Sequence, residues 1–451
     1  MTAEEIKSIS LEKLIEAGGF DCDCGKRHSA GTRKIMIGQG AVDRLPELIA
    51  ECGANKVFLL SGHDSFTAAG EKICKVLDSA GIAYARHVFP VSPVMATEHS
   101  VGSAVMHFDY ECDLIVGVGS GVINDIGKVL ARATGRQYII VATAPSMDGY
   151  ASATSSMELD GLKVSLDSTC PQAIVGDLDI LCQAPMRLLQ AGVGDMLAKY
   201  ISLTEWKIAN ILLGEYYCPV VVALVENALE KVVSAAHGLV RREPEAVKAV
   251  MEGMVISGIA MEYAGLSRPA SGLEHYFSHI WDMRALAFED AGSDLHGIQC
   301  GIGTLYSLKV YDYMRHIRPD VSTGISYVNK FSTDEWNDSL IEFIGPGAFA
   351  MIAAEKREGK YDIVKHRDRL SRIVEKWEEI VPIIDSLPSY DEVYSLLKAI
   401  GAPVSAGDFG YTKEQIRTTF KMTKDVRDKY IASRLLWDLG LLDEAADCVF
   451  R

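Results

Sequence analysis

The sequence predicts a two-part α/β chain, with a parallel-sheet domain over residues 1–183 and an all-helical domain over 184–451. Three observations carry that expectation. Short β-branched runs alternate with amphipathic stretches early on, the segments after Ala184 keep helical spacing, and no internal repeat or low-complexity linker interrupts either part. The strand runs, in order, are KVFLL (56–60), AYARHVF (83–89), LIVGVG (114–119), YIIVATA (138–144) and QAIVGD (172–177). Helical patterns fill 71–80 and 124–133 between them, and strands separated by helices imply right-handed parallel βαβ units. Residues 155–166 are the exception, because Asp160-Gly161 between two extended runs is the chemistry of a tight hairpin. Pro185 suits the first turn of a helix. Helices are then expected over 186–210, 219–234, 244–263, 272–287, 298–314, 334–344, 348–358 and 363–387, with three short ones in 389–451.

Composition narrows the function. At 48 % hydrophobic and 24 % charged, the 451 residues describe an ordinary globular protein with ample core. Against 61 acidic side chains stand 45 basic ones, a net charge of −16, which excludes a generic binder of the nucleic-acid backbone. A local pocket for one phosphate stays compatible with it. The opening MTAEEIKSIS has neither the basic start nor the apolar run of a secretory leader. The apolar stretch 211–225 is interrupted by Glu215 and Pro219 and is expected as buried helix rather than a membrane span. Ten scattered cysteines read as reduced thiols, so the expectation is a cytoplasmic enzyme with neither nucleic-acid nor membrane partners.

Several constellations could carry chemistry. In LIVGVGSGVINDIGK (114–128) a buried strand runs through Gly117, Gly119 and Gly121 into a helix, where backbone N–H groups can meet a phosphate. The spacing is not G-x-G-x-x-G, and a tight strand–helix turn would look the same; Asp125 and Lys128 read equally as a solvated pair. Thr143, Ser146, Asp148 and Ser152 follow the strand YIIVATA at the end where α/β folds place ligand groups, although hydroxyls there also satisfy loop backbone. Asp64, after KVFLL, could take ribose hydroxyls and would repel a 2′-phosphate. In the helical half, Asp195 lies among apolar neighbours, while His275 and His279 are i and i+4 on one helix face with His296 close behind. Such a set could hold a divalent metal with an open position, or be surface histidines; it lacks the H-E-x-x-H of a zincin peptidase. Near the start, Cys22, Cys24 and His28 form C-x-C-x3-H, three ligands of a small zinc site or incidental thiols in a turn.

Taken together, GVGSGVINDIGK, ATAPSMDGYAS, AGVGDMLAK, SGLEHYFSH and LHGIQCG resemble, in order, the sn-glycerol-1-phosphate dehydrogenases. The likeness is strongest to bacterial members encoded with arabinose genes, within the iron-containing alcohol dehydrogenase and dehydroquinate synthase superfamily. It spans about residues 30–440. The resemblance implies a Rossmann-like domain, a helical domain and an active site in the cleft between them. It implies that Gly119, Ser120, Gly121, Val122 and Ile123 hold the NAD(H) pyrophosphate, with further cofactor contacts from Thr143, Ser146 and Ser152. It makes Asp148 and His279 catalytic and substrate-contacting, and Asp195, His275 and His296 ligands of one divalent ion, zinc, nickel or iron, with Asp195 also near substrate. Ser120 departs from the three consecutive glycines common in the superfamily. The implied reaction is reversible reduction of dihydroxyacetone phosphate by NADH, NADP being less favoured by Asp64, in a homodimer serving phospholipid metabolism. Lys163 and Arg268 are the expected phosphate partners, and the extra C-terminal helices are expected to serve subunit contacts. The rival readings are a dehydrogenase of glycerol or another polyol, a dehydroquinate-synthase-like lyase, and a non-catalytic nucleotide binder. Only Arg284 lies between His275 and Gly303 to serve the lyase's acidic substrate.

Overall fold

The computed structural model describes residues 1–159 and 162–451. The chain divides into two compact units, one of residues 1–196 with 218–266, the other of 197–217 with 267–451. The single expected junction at 183/184 therefore differs from the compact units. The segment 218–266 belongs to the first unit because it packs there: Asn227 donates to Lys7 O (3.0 Å), and Arg242 donates to the carbonyls of Cys182 and Ala184 (2.7 and 2.6 Å).

In the first unit the strands, in chain order, are β1 (Phe20–Asp21), β2 (Arg27–His28), β3 (Lys34–Gly38), β4 (Lys56–Gly62), β5 (Ala83–Phe89), β6 (Leu114–Gly119), β7 (Gln137–Ala142), β8 (Thr154–Leu159), β9 (Leu162–Asp167) and β10 (Ala173–Asp177). Among the described residues six of them form a parallel sheet in the order β3-β10-β7-β6-β4-β5. The five expected strands are all present. The sixth, β3, is the edge strand KIMIG, too short to signal itself by alternation. β6 is buried along its whole length, as a central parallel strand with both faces covered must be. From β4 the chain steps outward to β5, then returns to the other side of β4 as β6. The ends of β4 and β6 thus form the topological switch point where open α/β sheets bind ligands. β8 and β9 pair antiparallel, as expected of a hairpin, while Asp160-Gly161 lies outside the described residues. The apolar faces of Leu59, Val116, Val118, Ile139, Val141 and Val175 pack with Val42, Leu45, Ile73 and Leu77 in one core cluster.

The helices that bear on function are α1 (Gly121–Thr134), α2 (Met186–Leu197), α3 (Lys199–Leu213), α4 (Pro219–Ala235), α5 (Pro244–Ala264), α6 (Leu273–Ala287) and α7 (His296–Met314). The single helix expected over 186–210 is two, α2 and α3. The apolar stretch 211–225 is not one buried helix either: it is the end of α3, a connection, and the start of α4, where Pro219 takes the first helical position. The second unit is helical as expected. It adds Val321–Val328, and its tail carries four α-helices among the described residues rather than three: Tyr390–Ala399, Lys413–Met422, Ala432–Asp438 and Leu442–Val449. No described helix is long and apolar enough to cross a membrane.

Candidate metal and cofactor sites

In the first unit the glycine run sorts itself by what a side chain would meet. A Cβ on Gly117 would strike the Tyr138 hydroxyl, and one on Gly127 would lie 2.6 Å from the same ring, so these two glycines make room for Tyr138. A Cβ on Gly119 would sit 2.6 Å from Ile123 Cβ, and one on Gly121 would sit 2.9 Å from Met147 Cγ. The turn from β6 into α1 is therefore a close-packed backbone with Ser120 at the N-cap. Asn124 N–H makes the first bond of the helix, to Ser120 O (3.0 Å). The amides of Gly121, Val122 and Ile123 precede it and are not used by the helix itself, a ready donor set for an anion. Ser65 joins this turn to the end of β4: its hydroxyl accepts from Gly62 N–H (3.1 Å) and lies 2.8 Å from Val118 O as donor. Asp64 is exposed beside it and accepts from the Ser92 hydroxyl.

The loop after β7 is tied to the same turn. Thr143 N–H donates to Gly119 O (3.1 Å), and Ser146 and Ser152 are buried. Lys128 and Asp125 are not a solvated pair. Lys128 is fully buried, 3.2 Å from Asp125, and donates to the carbonyls of Gly149 (3.1 Å), Ser152 (3.4 Å) and Thr154. It clamps the loop onto α1, and burial pushes the Asp125 carboxyl above its ordinary range. Ser152 Oγ also lies within this clamp, 3.2 Å from Gly149 O and 3.1 Å from Thr154 O. Asp148 and Asp195 meet here: Asp195 Oδ2 accepts from Asp148 N–H (3.0 Å), and Asp148 Oδ2 accepts from the Ser257 hydroxyl of α5 (2.9 Å). Gly192 makes that approach possible, since a Cβ on it would run into the Pro145 carbonyl.

In the second unit His275, His296 and Cys300 each present a ligand atom, all within 4.8 Å of one another. The rings of His275 and His296 lie 5.0 Å apart, and the half-buried His279 ring stands 6.3 Å from His296. His275 Nδ1 lies 2.9 Å from Glu274 Oε1, and His296 Nδ1 lies 3.1 Å from Ser278 Oγ. With each Nδ1 occupied by an oxygen partner, each Nε2 is the natural metal donor. Cys300 Sγ lies 3.6 Å from His296 Nε2. This donor set fits a divalent ion of intermediate softness. Behind it, Glu274 and Glu205 are buried carboxylates. Burial pushes Glu274 up to about 7, and burial plus the neighbouring Glu274 charge pushes Glu205 up to about 8.

Four residues here were not singled out from the sequence, buried Glu205 among them. Cys300 and Ser278 carried a usable signal, lying i+4 from His296 and i+3 from His275, and Glu274 is simply adjacent to His275. The expectation for Arg268 is corrected: it is buried, forked onto Glu215 (2.9 and 2.7 Å), and donates to Tyr430 O (2.9 Å), so its donors serve the fold. Lys163 is exposed on β9. Cys22, Cys24 and His28 converge with Cys218 in the first unit.

Comparison with known proteins matches residues 36–185 to the iron-containing alcohol dehydrogenase family model. The chain is 28 % identical over 404 residues to a glycerol-1-phosphate dehydrogenase [NAD(P)+] of Halalkalibacterium halodurans, covering 88 % of this chain and 90 % of that one. It is 34 % identical over 290 residues to the enzyme of the same name from Hyperthermus butylicus, covering 63 % and 80 %. Its fold matches that of glycerol dehydrogenase from Schizosaccharomyces pombe with a TM-score of 0.58 at 16 % identity, over 93 % of this chain and 90 % of that one.

Proposed function

Because this chain belongs to the glycerol-1-phosphate dehydrogenase family, we propose that it reduces dihydroxyacetone phosphate to sn-glycerol 1-phosphate with NADH, reversibly and with a divalent metal. The observation that carries the metal requirement is the imidazole pair, buried His275 and half-buried His296, with Nδ1 of each beside an oxygen. Asp195, His275 and His296 are the ligands in this reading, and the Gly119–Ile123 turn, Thr143, Ser146 and Ser152 hold the dinucleotide. When bound, the nicotinamide supplies the hydride and the metal supplies Lewis acidity toward the C2 carbonyl.

The chain's own residues do the rest. The amides of Gly121, Val122 and Ile123 meet the pyrophosphate, and the exposed Asp64 takes ribose hydroxyls, which favours NAD(H) over its 2′-phosphorylated form. Glu274 holds the His275 imidazole in the tautomer that leaves Nε2 free, and Ser278 orients the His296 ring. Asp148, oriented through Ser257, binds a substrate hydroxyl, and His279 gives the proton that the C2 oxygen needs as hydride arrives at carbon. A cytoplasmic homodimer whose product feeds phospholipid synthesis completes the reading, which rests there on family resemblance.

The test is NADH oxidation with dihydroxyacetone phosphate on chelated protein resupplied separately with zinc, nickel or iron, with unphosphorylated dihydroxyacetone alongside. Metal-dependent turnover of the phosphorylated ketone is expected. Turnover of only the unphosphorylated ketone would instead make the chain a polyol dehydrogenase. A lyase would give product without net loss of NADH.

A further inference from the structure

The geometry points to a second, structural metal site in the first unit, a zinc ion held by Cys22, Cys24, His28 and Cys218. All four ligand atoms lie within 4.8 Å of one another, although Cys218 stands 190 residues from His28 in sequence. Cys22 Sγ is 3.7 Å from Cys218 Sγ, Cys24 Sγ is 3.3 Å from His28 Nε2, and Cys218 Sγ is 3.3 Å from the same nitrogen. A tetrahedron with bonds of about 2.3 Å to sulfur and about 2.0 Å to nitrogen has edges of roughly 3.8 Å and roughly 3.5 Å. The observed separations are close to those edges. By contrast, 3.7 Å is far beyond a sulfur–sulfur bond of about 2.05 Å.

The surroundings are built for an ion. His28 is fully buried, and its Nδ1 lies 2.8 Å from the Tyr263 carbonyl, which fixes the proton there and leaves Nε2 facing the thiols. Phe20 and Tyr263 pack around the ring at centroid distances of 5.2 and 5.5 Å and hold its plane. The loop between β1 and β2 doubles back through Cys22 N–H to Lys26 O (3.1 Å) and Gly25 N–H to Cys22 O (3.0 Å), with Gly25 at φ +86°. That turn brings Cys22 and Cys24 to one side. Burial holds the His28 ring neutral, the form that ligates. Three thiolates and a divalent cation leave one net negative charge, with Lys26 on the same turn to offset it, and binding releases three thiol protons to solvent.

With every position filled by protein, the site has no room for substrate, so its role is to pin together the N-terminal hairpin, the N-cap of α4 and, through Tyr263, the end of α5. A closed, tetrahedral set of three sulfurs and a nitrogen is the donor set of structural zinc sites.

The experiment measures metal content on the full chain carrying His275→Ala and His296→Ala, which removes the proposed catalytic ion. One zinc per chain is expected to remain, and to fall about tenfold or more when Cys24→Ser or Cys218→Ser is added. Should those variants fail to fold, the otherwise wild-type chain with cobalt in place of zinc gives an independent reading. Intense tetrahedral bands with a sulfur-to-cobalt charge-transfer band are expected, and they should persist in the histidine double variant. A double variant free of metal, a metal content unchanged by the cysteine substitutions, cobalt bands without thiolate character, or loss of two titratable thiols to a Cys22–Cys218 disulfide would each overturn the proposal.

Discussion

Among the described residues each unit carries one cluster of imidazole and thiol, and the two differ in what stands behind the histidines. In the first unit His28 leans on a backbone carbonyl, and the cluster closes on itself with three cysteines. In the second, His275 leans on the Glu274 carboxylate and His296 on a serine hydroxyl, with a single thiol beside them. A carbonyl only orients an imidazole, whereas a carboxylate also raises its basicity and follows pH. The same residue types thus make a saturated, sulfur-rich set suited to holding structure and a nitrogen-led, carboxylate-backed set suited to chemistry.

The largest way to break this comparison is His275→Ala. Losing that ligand should abolish metal binding at the second cluster and lower kcat by about a thousandfold or more, read by NADH absorbance and metal analysis. Zinc at the first cluster should be untouched. Full metal content with an undiminished rate would remove His275 from the site altogether. Glu274→Gln is the next step down: metal affinity at the second cluster should weaken about 10- to 100-fold while saturating metal restores stoichiometry. If affinity is unchanged, the carboxylate is structural and the contrast between the two clusters collapses.

How far these clusters could be read in advance follows from their spacing. The i,i+4 pair of His275 and His279 and the C-x-C-x3-H of Cys22, Cys24 and His28 are local, so sequence alone exposes them. Cys218 is not local; it sits before Pro219 with nothing in its neighbourhood to mark it, and only the return of 218–266 to the first unit brings it to His28. The strands were legible because a buried parallel strand is a continuous β-branched run, as in LIVGVG. Ion-pair partners were not. Arg268 reads as a phosphate binder until Glu215, 53 residues away, takes its fork, and Lys128 reads as surface until three loop carbonyls close over it. Nothing in hydrophobic periodicity encodes which distant acceptor a cation will find.

A smaller effect separates the clusters by stability rather than by rate. Cys218→Ser should lower the thermal midpoint of the zinc-loaded protein by roughly 5 °C or more, because a ligand that binds only the folded state stabilises it and loss of one donor removes that linkage. Adding a strong chelator to the chain carrying His275→Ala and His296→Ala should reproduce the drop, and should add nothing once Cys218→Ser is also present. A further drop in the variant would mean that the stabilising ion sits elsewhere.

The smallest expected difference is in pH dependence, and it isolates the carboxylates of the second unit. Glu205 accepts from Leu273 N–H (2.9 Å), Ala432 N–H (2.8 Å) and the Tyr311 hydroxyl (3.1 Å), and its carboxyl is pushed up to about 8 by burial and then by Glu274. An unfolded glutamate releases its proton near pH 4.3, so between there and about 8 the folded chain holds a proton that the unfolded chain has lost. Stability in that window must fall as pH rises, at up to about 1.4 kcal/mol per pH unit for one proton, and level off above it. Urea unfolding of the chelated chain from pH 5 to 9 should show this slope, flattened by up to one proton in Glu205→Gln. Cys24→Ser should leave it unchanged, since no carboxylate belongs to the first cluster. A slope unchanged in Glu205→Gln would place the proton on another group and leave the two clusters distinguished by their donors alone.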